Sequence, residues 1–263
     1  MEKKKSKQLF FLVAVPRSGN TMFASVMNQN PEIACTANSI TLEIMKNLCT
    51  LKEDEVFRNY PDHKSLDNVI DSVYDNYYKD WPQKYIIDRG PVTLTDNFLA
   101  LQKHFKRPFK IIILWRDLMD VLASYMQWYK ENPDAFPNKI EGGDLEKLTT
   151  LMHAKGAIAT GLTAVQNALK PENKHLCHLI KYDKFVINPE NHLKELYKFL
   201  EIPYYQHYFE NLKQININGV SYDDTFHGSN MHKVWSGKIR KIYNPYIEKI
   251  PKIIKEQYGH ITL

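Results

Sequence analysis

The sequence predicts an α/β fold, a single domain with a central parallel sheet and helices on both faces. Three observations carry this. The apolar runs Leu9–Val15 and Phe109–Trp115 are unbroken and end in turn residues, as strands buried on both faces do. Segments with apolar residues at helical spacing alternate with such runs, which implies parallel strands joined by helical crossovers. The first run also passes through a tight polar loop straight into a helix, the arrangement that presents free backbone N–H groups to an anion.

Length and composition agree. A chain of 263 residues can bury one full core, and 43% hydrophobic with 25% charged residues is ordinary for a globular protein. Residues 1–263 read as one domain, with 1–8 as a flexible tail, because no linker, repeat or low-complexity tract interrupts them. The net charge of +5 suits an anionic ligand without requiring nucleic acid, and no nucleic-acid module is visible. Cys35, Cys49 and Cys177 are widely spaced, so neither a disulfide framework nor a metal site is expected, and a reducing, cytoplasmic setting fits. The lysine-rich start before Leu9 resembles a signal peptide, but the apolar run is short and Arg17 follows at once, so it reads as the first core strand. No segment has the length of a membrane span.

In chain order, Pro16-Arg17-Ser18-Gly19-Asn20-Thr21 forms the loop, and Met22, Phe23, Val26 and Met27 give the helix that Asn30-Pro31 ends. Residues 32–39 read as a loop with a brief extended piece. Helices follow at Ile40–Leu51, with Glu43 in the first turn and Ser39 or Thr41 as cap, and at Ser65–Tyr78. Lys84–Pro91 is a short strand with Asp88 and Arg89 at its carboxyl end, the edge where ligands bind in open sheets. A helix spans Leu94–Phe105. After the strand ending at Trp115, Arg116-Asp117 opens another helix, capped by Asp117 and carrying Ser124 two turns in. Residues 130–143 are irregular, as binding loops often are, and Trp128 and Tyr129 before them suit either a pocket wall or the core. Leu145–Leu169 reads as one long helix, His175–Tyr182 as a strand, the segment after Asn188-Pro189 as a helix, and Pro251–Tyr258 as the last helix.

The loop is a phosphate cradle. Gly19 permits close backbone approach, Ser18 and Thr21 supply hydroxyls, and Arg17 a fixed charge. It lacks the second glycine and the lysine of a nucleoside-triphosphate loop, which weakens a kinase reading.

Pro16–Met22 resembles the phosphosulfate-binding loop of the sulfotransferase family, whose P-loop-like core binds 3′-phosphoadenosine-5′-phosphosulfate. Arg116 with Ser124 resembles that family's 3′-phosphate clamp, and a guanidinium fork plus a hydroxyl suits phosphate oxygens. Ile180–Pro203 resembles the family's later strand–helix unit, which implies Tyr182 near the donor nucleotide. His227–Arg240 resembles its basic C-terminal loop, with Lys233 and Lys238 as candidate cations. The resemblance covers roughly residues 9–260. It implies that Arg17, Ser18, Gly19, Asn20, Thr21 and Met22 hold the 5′-phosphosulfate, and that adenosine 3′,5′-bisphosphate leaves without a metal.

The sequence also departs from the family. Near Asn38 and Ser39 there is no carboxylate where the tyrosylprotein branch has its base. Ile87-Asp-Arg-Gly-Pro91 stands where the cytosolic branch has a Lys-Thr-His-x-Pro segment. Asp88 and Glu43 remain as candidate bases, and Arg89 as the cation on the transferring group. Arg89 is expected to lower the pKa of Asp88. The resemblance implies an enzyme acting on a hydroxyl or amine, with a small-molecule or carbohydrate acceptor preferred over a protein. The alternatives are a P-loop kinase and a non-catalytic donor-binding module.

Overall fold

A computed structural model describes residues 7–36, 38–59, 62–135, 142–221, 228 and 231–263. Its core is a five-stranded parallel sheet of β1 (Gln8–Ala14), β2 (Ile33–Cys35), β3 (Tyr85–Arg89), β4 (Ile111–Trp115) and β5 (Cys177–Lys181), in the order β2-β3-β1-β4-β5. From β1 the chain runs outward to β2, and from β4 it runs to β5 on the opposite edge. The two adjacent central strands therefore send their connections in opposite directions. A crevice forms at their carboxyl ends, the switch point where open α/β sheets bind ligands.

Strand alternation sorts the core into two layers. Phe10 and Leu12 of β1 face α1 (Asn20–Met27), α9 (Tyr182–Phe185) and α10 (Pro189–Leu200), packing with Phe23, Phe185 and Leu196. Leu9, Phe11 and Val13 face the other layer, where α2 (Thr41–Lys52), α3 (His63–Asp71), α4 (Val73–Tyr77), α5 (Thr95–His104), α6 (Leu118–Glu131), α7 (Asp144–Met152) and α8 (Ala157–Ala168) lie. Trp128 and Tyr129 belong to this core, so of their two readings the core holds. Asp117 caps α6 as expected, accepting from Met119 N at 2.8 Å.

Several boundaries differ from the sequence reading. Gln8, read as tail, begins β1, and Lys7 donates to the carbonyls of Trp81 and Gln83. The helix expected over 65–78 breaks at Ser72, whose hydroxyl donates to Val69 O at 2.8 Å. The helix expected over 145–169 is α7 and α8, divided at 153–156. A Cβ on Gly156 would lie 2.3 Å from the carbonyl oxygens of Thr150 and Leu151, so the chain turns here where only glycine fits. The segment after 203 holds a hairpin that was not anticipated, β6 (Asn216–Ile217) and β7 (Val220–Ser221), and then α11 (Tyr246–Lys249) before α12 (Lys252–Tyr258). Asn218 and Gly219 both take positive φ in its two-residue turn, the geometry that Asn-Gly favours. Parts of the irregular 130–143 segment and of the 227–240 loop, and the Lys3–Lys7 run short of Lys7, lie outside the described residues. Among the described residues no helix is long and apolar enough to cross a membrane.

Candidate active site

The loop between β1 and α1 sits at the switch-point crevice. Arg17 has φ 67°. A non-glycine residue held there stores on the order of 1–3 kcal/mol and persists only when its surroundings fix it. They do so from three directions. Arg17 Nε donates to Ser124 Oγ at 3.0 Å, its Nη1 donates to Met231 O at 2.8 Å, and its carbonyl accepts from Arg116 Nη1 at 3.2 Å. Arg116 and Ser124 are thus joined through Arg17. Met231 brings the C-terminal segment onto the loop.

Gly19, at φ 90°, lies against the ring of Tyr182, and a Cβ there would come within 2.7 Å of two ring carbons. The same ring carries the Arg116 guanidinium, 4.7 Å from its centroid. Burial is the main cause raising the Tyr182 pKa, so the phenol stays neutral. Gly19→Ala is therefore expected to lower stability by roughly 1–3 kcal/mol, the cost of a strained backbone. Gly90→Ala, whose new Cβ would only touch the Leu42 side chain at 3.5 Å, is the control. Thermal denaturation of both variants checks this, and equal melting temperatures would refute it.

Three buried polar atoms at this edge have no hydrogen-bond partner among the described residues: Ser18 Oγ, Asn20 Oδ1 and Arg116 Nε. An unsatisfied buried donor costs about 1–3 kcal/mol. Two of these atoms can donate to anionic oxygens, beside the free N–H groups at the start of α1 and with no acidic residue in its first turn. The donor set fits a phosphorylated nucleotide. Met22, half-buried, packs in the α1 layer below.

A second cluster lies one strand over. Asp88, on β3, is fully buried, and its Oδ2 accepts from Ser39 Oγ at 2.7 Å and from the Tyr78 hydroxyl. Its Oδ1 has no partner among the described residues. Burial raises the Asp88 pKa above the usual carboxylate range against the pull of Tyr78, Ser39 and Thr41. The lowering expected from Arg89 is not what decides it, because the strand directs adjacent side chains to opposite faces. Arg89 N donates to Thr36 Oγ1 at 2.9 Å, which ties the ends of β2 and β3 together.

Ser39 and Tyr78 line a groove of about 800 Å³, together with Tyr77, Trp81, Pro91 and the hairpin residues Ile215, Ile217 and Val220. Tyr77, Tyr78 and Trp81 form an aromatic wall with centroids 4.8–6.4 Å apart. Glu43 also lines the groove, with its side chain half exposed and paired with Lys46 at 3.4 Å. Among the described residues, Glu43 is the one charged residue lining the groove, and no lysine or arginine does so.

Around the loop the structure gathers Arg17, Ser18, Gly19, Asn20, Thr21, Arg116, Ser124 and Tyr182. Lys233 and Lys238 are engaged elsewhere, Lys233 over the Trp235 ring at 4.9 Å and Lys238 with Glu210 at 3.8 Å. Sequence reasoning offered Ser39 or Thr41 only as a cap of α2, whose cap position is instead Ile40 with no side-chain hydrogen bond, and it missed Tyr78 and the hairpin altogether. The Asn218-Gly219 pair was an available signal for the hairpin. None marked the two hydroxyls, because only the fold brings residues 39, 78 and 88 together.

A search of curated proteins finds no match to this sequence. Among solved structures, the sulfotransferase domain of a Synechococcus olefin synthase is similar over 100% of this chain and 99% of its own, with TM-score 0.55 and 14% identity. The sulfotransferase domain from the curacin biosynthetic pathway is similar over 99% and 93%, with TM-score 0.54 and 17% identity. A mouse sulfotransferase complexed with PAP is similar over 77% of this chain, with TM-score 0.50 and 16% identity. The present chain spans only 60% of that enzyme's length. At such identities these likenesses establish the fold. The family model described as the sulfotransferase domain matches residues 7–262, nearly the whole chain, so this protein belongs to the sulfotransferase family and is a transferase of sulfuryl groups.

Proposed function

We propose that the enzyme takes its sulfuryl group from 3′-phosphoadenosine-5′-phosphosulfate and transfers it to the hydroxyl of a small, uncharged, largely apolar acceptor. The observation that carries the donor half is the convergence of Arg17, Arg116, Ser124 and Ser18 at the switch point, with Ser18 Oγ and Arg116 Nε buried and unpartnered among the described residues. Backbone N–H groups from Gly19 to Met22, with the Ser18 and Thr21 hydroxyls, would hold the 5′ end. Arg116 and Ser124 would hold the 3′-phosphate together with the guanidinium of Arg17, which the resemblance assigned to the 5′ end but which is bonded to Ser124, and Tyr182 would be a flat wall between the two. The donor supplies an activated sulfuryl group. The chain's own work is positioning and charge stabilisation, and Arg89 is the proposed cation near the departing charge.

The acceptor half rests on the aromatic groove. A wall of Tyr77, Tyr78 and Trp81, with no lysine or arginine beside it among the described residues, suits an apolar alcohol or phenol better than an acidic polysaccharide. This narrows the sequence-based expectation, in which carbohydrate ranked equally. Asp88 is the proposed base, in preference to Glu43, because its raised pKa keeps it basic enough to accept a proton. The three cysteines are free thiols, which suits a cytoplasmic setting.

Calorimetry tests the donor. Adenosine 3′,5′-bisphosphate should bind far more tightly than ATP, and without magnesium. Equal affinities, or a strict magnesium requirement, would favour nucleotide-dependent phosphoryl transfer instead.

A further inference from the structure

Asp88 poses a chemical difficulty as a base. Its side chain is sealed from solvent at 0% exposure, and so is Tyr78. No acceptor hydroxyl can touch the carboxylate directly. Around Asp88 Oδ2 stand the Ser39 hydroxyl at 2.7 Å and the Tyr78 hydroxyl. Thr41 Oγ1 lies 2.9 Å from Ser39 Oγ and 3.4 Å from the Tyr78 oxygen. No salt-bridge cation within 4 Å of this carboxylate is found among the described residues, although buried charges are ordinarily paired. A buried, hydroxyl-ringed carboxylate at the ligand-binding edge of a sheet is poorly explained by stability and well explained by chemistry.

Tyr78 also borders the groove, but it and Thr41 are fully buried, and Ser39 alone of the three keeps exposed surface. It is half-buried and lines the groove, and its hydroxyl already points its proton at Asp88. Its oxygen accepts from Thr41 N, and with Thr41 Oγ1 donating to Tyr78 a second lone pair is left for a groove ligand. Resting on the reading above, in which the groove holds the acceptor and Asp88 is the base, we infer that Ser39 is a catalytic residue that relays the acceptor's proton to Asp88.

The step balances as follows. The acceptor oxygen forms its bond to sulfur while its O–H bond breaks. That proton passes to Ser39 Oγ, and the proton Ser39 held passes to Asp88 Oδ2. The bond between sulfur and the phosphate oxygen breaks, and its electron pair leaves on the nucleotide. Tyr78 and Thr41 act as positioning residues. Tyr78 fixes the carboxylate, and Thr41 N donates to Ser39 Oγ at 3.2 Å, which sets the hydroxyl at the start of α2.

The test uses the full chain with 2-naphthol as acceptor probe, and compares Ser39→Ala, Ser39→Thr and Asp88→Asn. Ser39→Ala should lower kcat by about 10²-fold, the scale of losing a proton-transfer partner, while KM for 2-naphthol and affinity for adenosine 3′,5′-bisphosphate stay within about twofold. Ser39→Thr should restore most of the rate. A carbon-13 carboxyl signal, assigned to Asp88 by its absence in Asp88→Asn, provides a readout independent of turnover. In nucleotide-bound protein its titration should move upward in Ser39→Ala, which loses one stabilising hydrogen bond, and return in Ser39→Thr. The relay is overturned if that signal is unmoved by Ser39→Ala, or if Ser39→Ala keeps the parent kcat while Asp88→Asn loses it. A parent rate retained in Asp88→Asn, or failure of the parent protein to bind the bisphosphate, would instead refute the reading on which the relay rests.

Discussion

Asp88→Asn should reduce turnover by about 10²-fold or more, the usual scale for removing a general base, and leave bisphosphate binding intact. The amide keeps the shape of the side chain and can still accept from Ser39 and Tyr78, so the change isolates proton uptake. The pH dependence has a definite sign. The base must be ionised to work, and burial lifts its pKa above the ordinary carboxylate range. In the parent, kcat/KM should therefore rise with pH through that raised value, and in Asp88→Asn this limb should vanish. Stability should change in the opposite direction. A carboxyl whose folded pKa is raised contributes stability that is fully present below its unfolded value, about 3.9, and lost as pH rises through the folded value. The melting temperature of the parent should consequently fall more than that of Asp88→Asn as pH climbs from 4 towards neutrality. An activity loss without this stability signature would mean that the carboxylate is not protonated on folding as its burial requires. Glu43→Gln should have the smaller effect, because that side chain is half exposed and already paired with Lys46. The reverse ranking would transfer the role of base to Glu43.

Arg116→Ala should weaken adenosine 3′,5′-bisphosphate binding by at least roughly tenfold, since a hydrogen bond to a charged group is worth about 1.5–3 kcal/mol and each 1.4 kcal/mol is tenfold. Affinity for adenosine 5′-monophosphate, which lacks the 3′-phosphate, should change little. Arg116→Lys should rescue only part of the loss. Lysine keeps the charge but not the planar fork that at once reaches the Arg17 carbonyl and lies over Tyr182. If both nucleotides weaken equally, Arg116 acts by holding the loop in shape and not by touching the 3′-phosphate. Calorimetry with the two nucleotides distinguishes these outcomes.

By itself the sequence determined the parallel sheet and the tight polar loop between β1 and α1. The reason is local. Leu9–Val15 and Phe109–Trp115 are apolar on both faces, which only a strand between two helical layers satisfies. The order strand, polar loop, helix is likewise written in consecutive residues, and so is the cap that Asp117 supplies to α6. Helix breaks were hidden because apolar periodicity continues across Ser72 and Gly156. The turn at Gly156 is visible only as the steric conflict that a Cβ would have with carbonyls of the preceding turn.

Tertiary structure alone decided the chemistry of Asp88. From the sequence its neighbour Arg89 suggested a depressed pKa, whereas the fold buries the carboxylate among hydroxyls from positions 39 and 78 and raises it. Tertiary structure also gave Arg17 its partners, Ser124 and Met231, which are 107 and 214 residues away along the chain. Lys233 and Lys238, chosen for their charge, instead lie over Trp235 and beside Glu210. Contacts between residues so far apart follow from how helices pack on the sheet. Periodicity and composition carry no information about that packing, because each reports only on a residue's nearest neighbours in the chain.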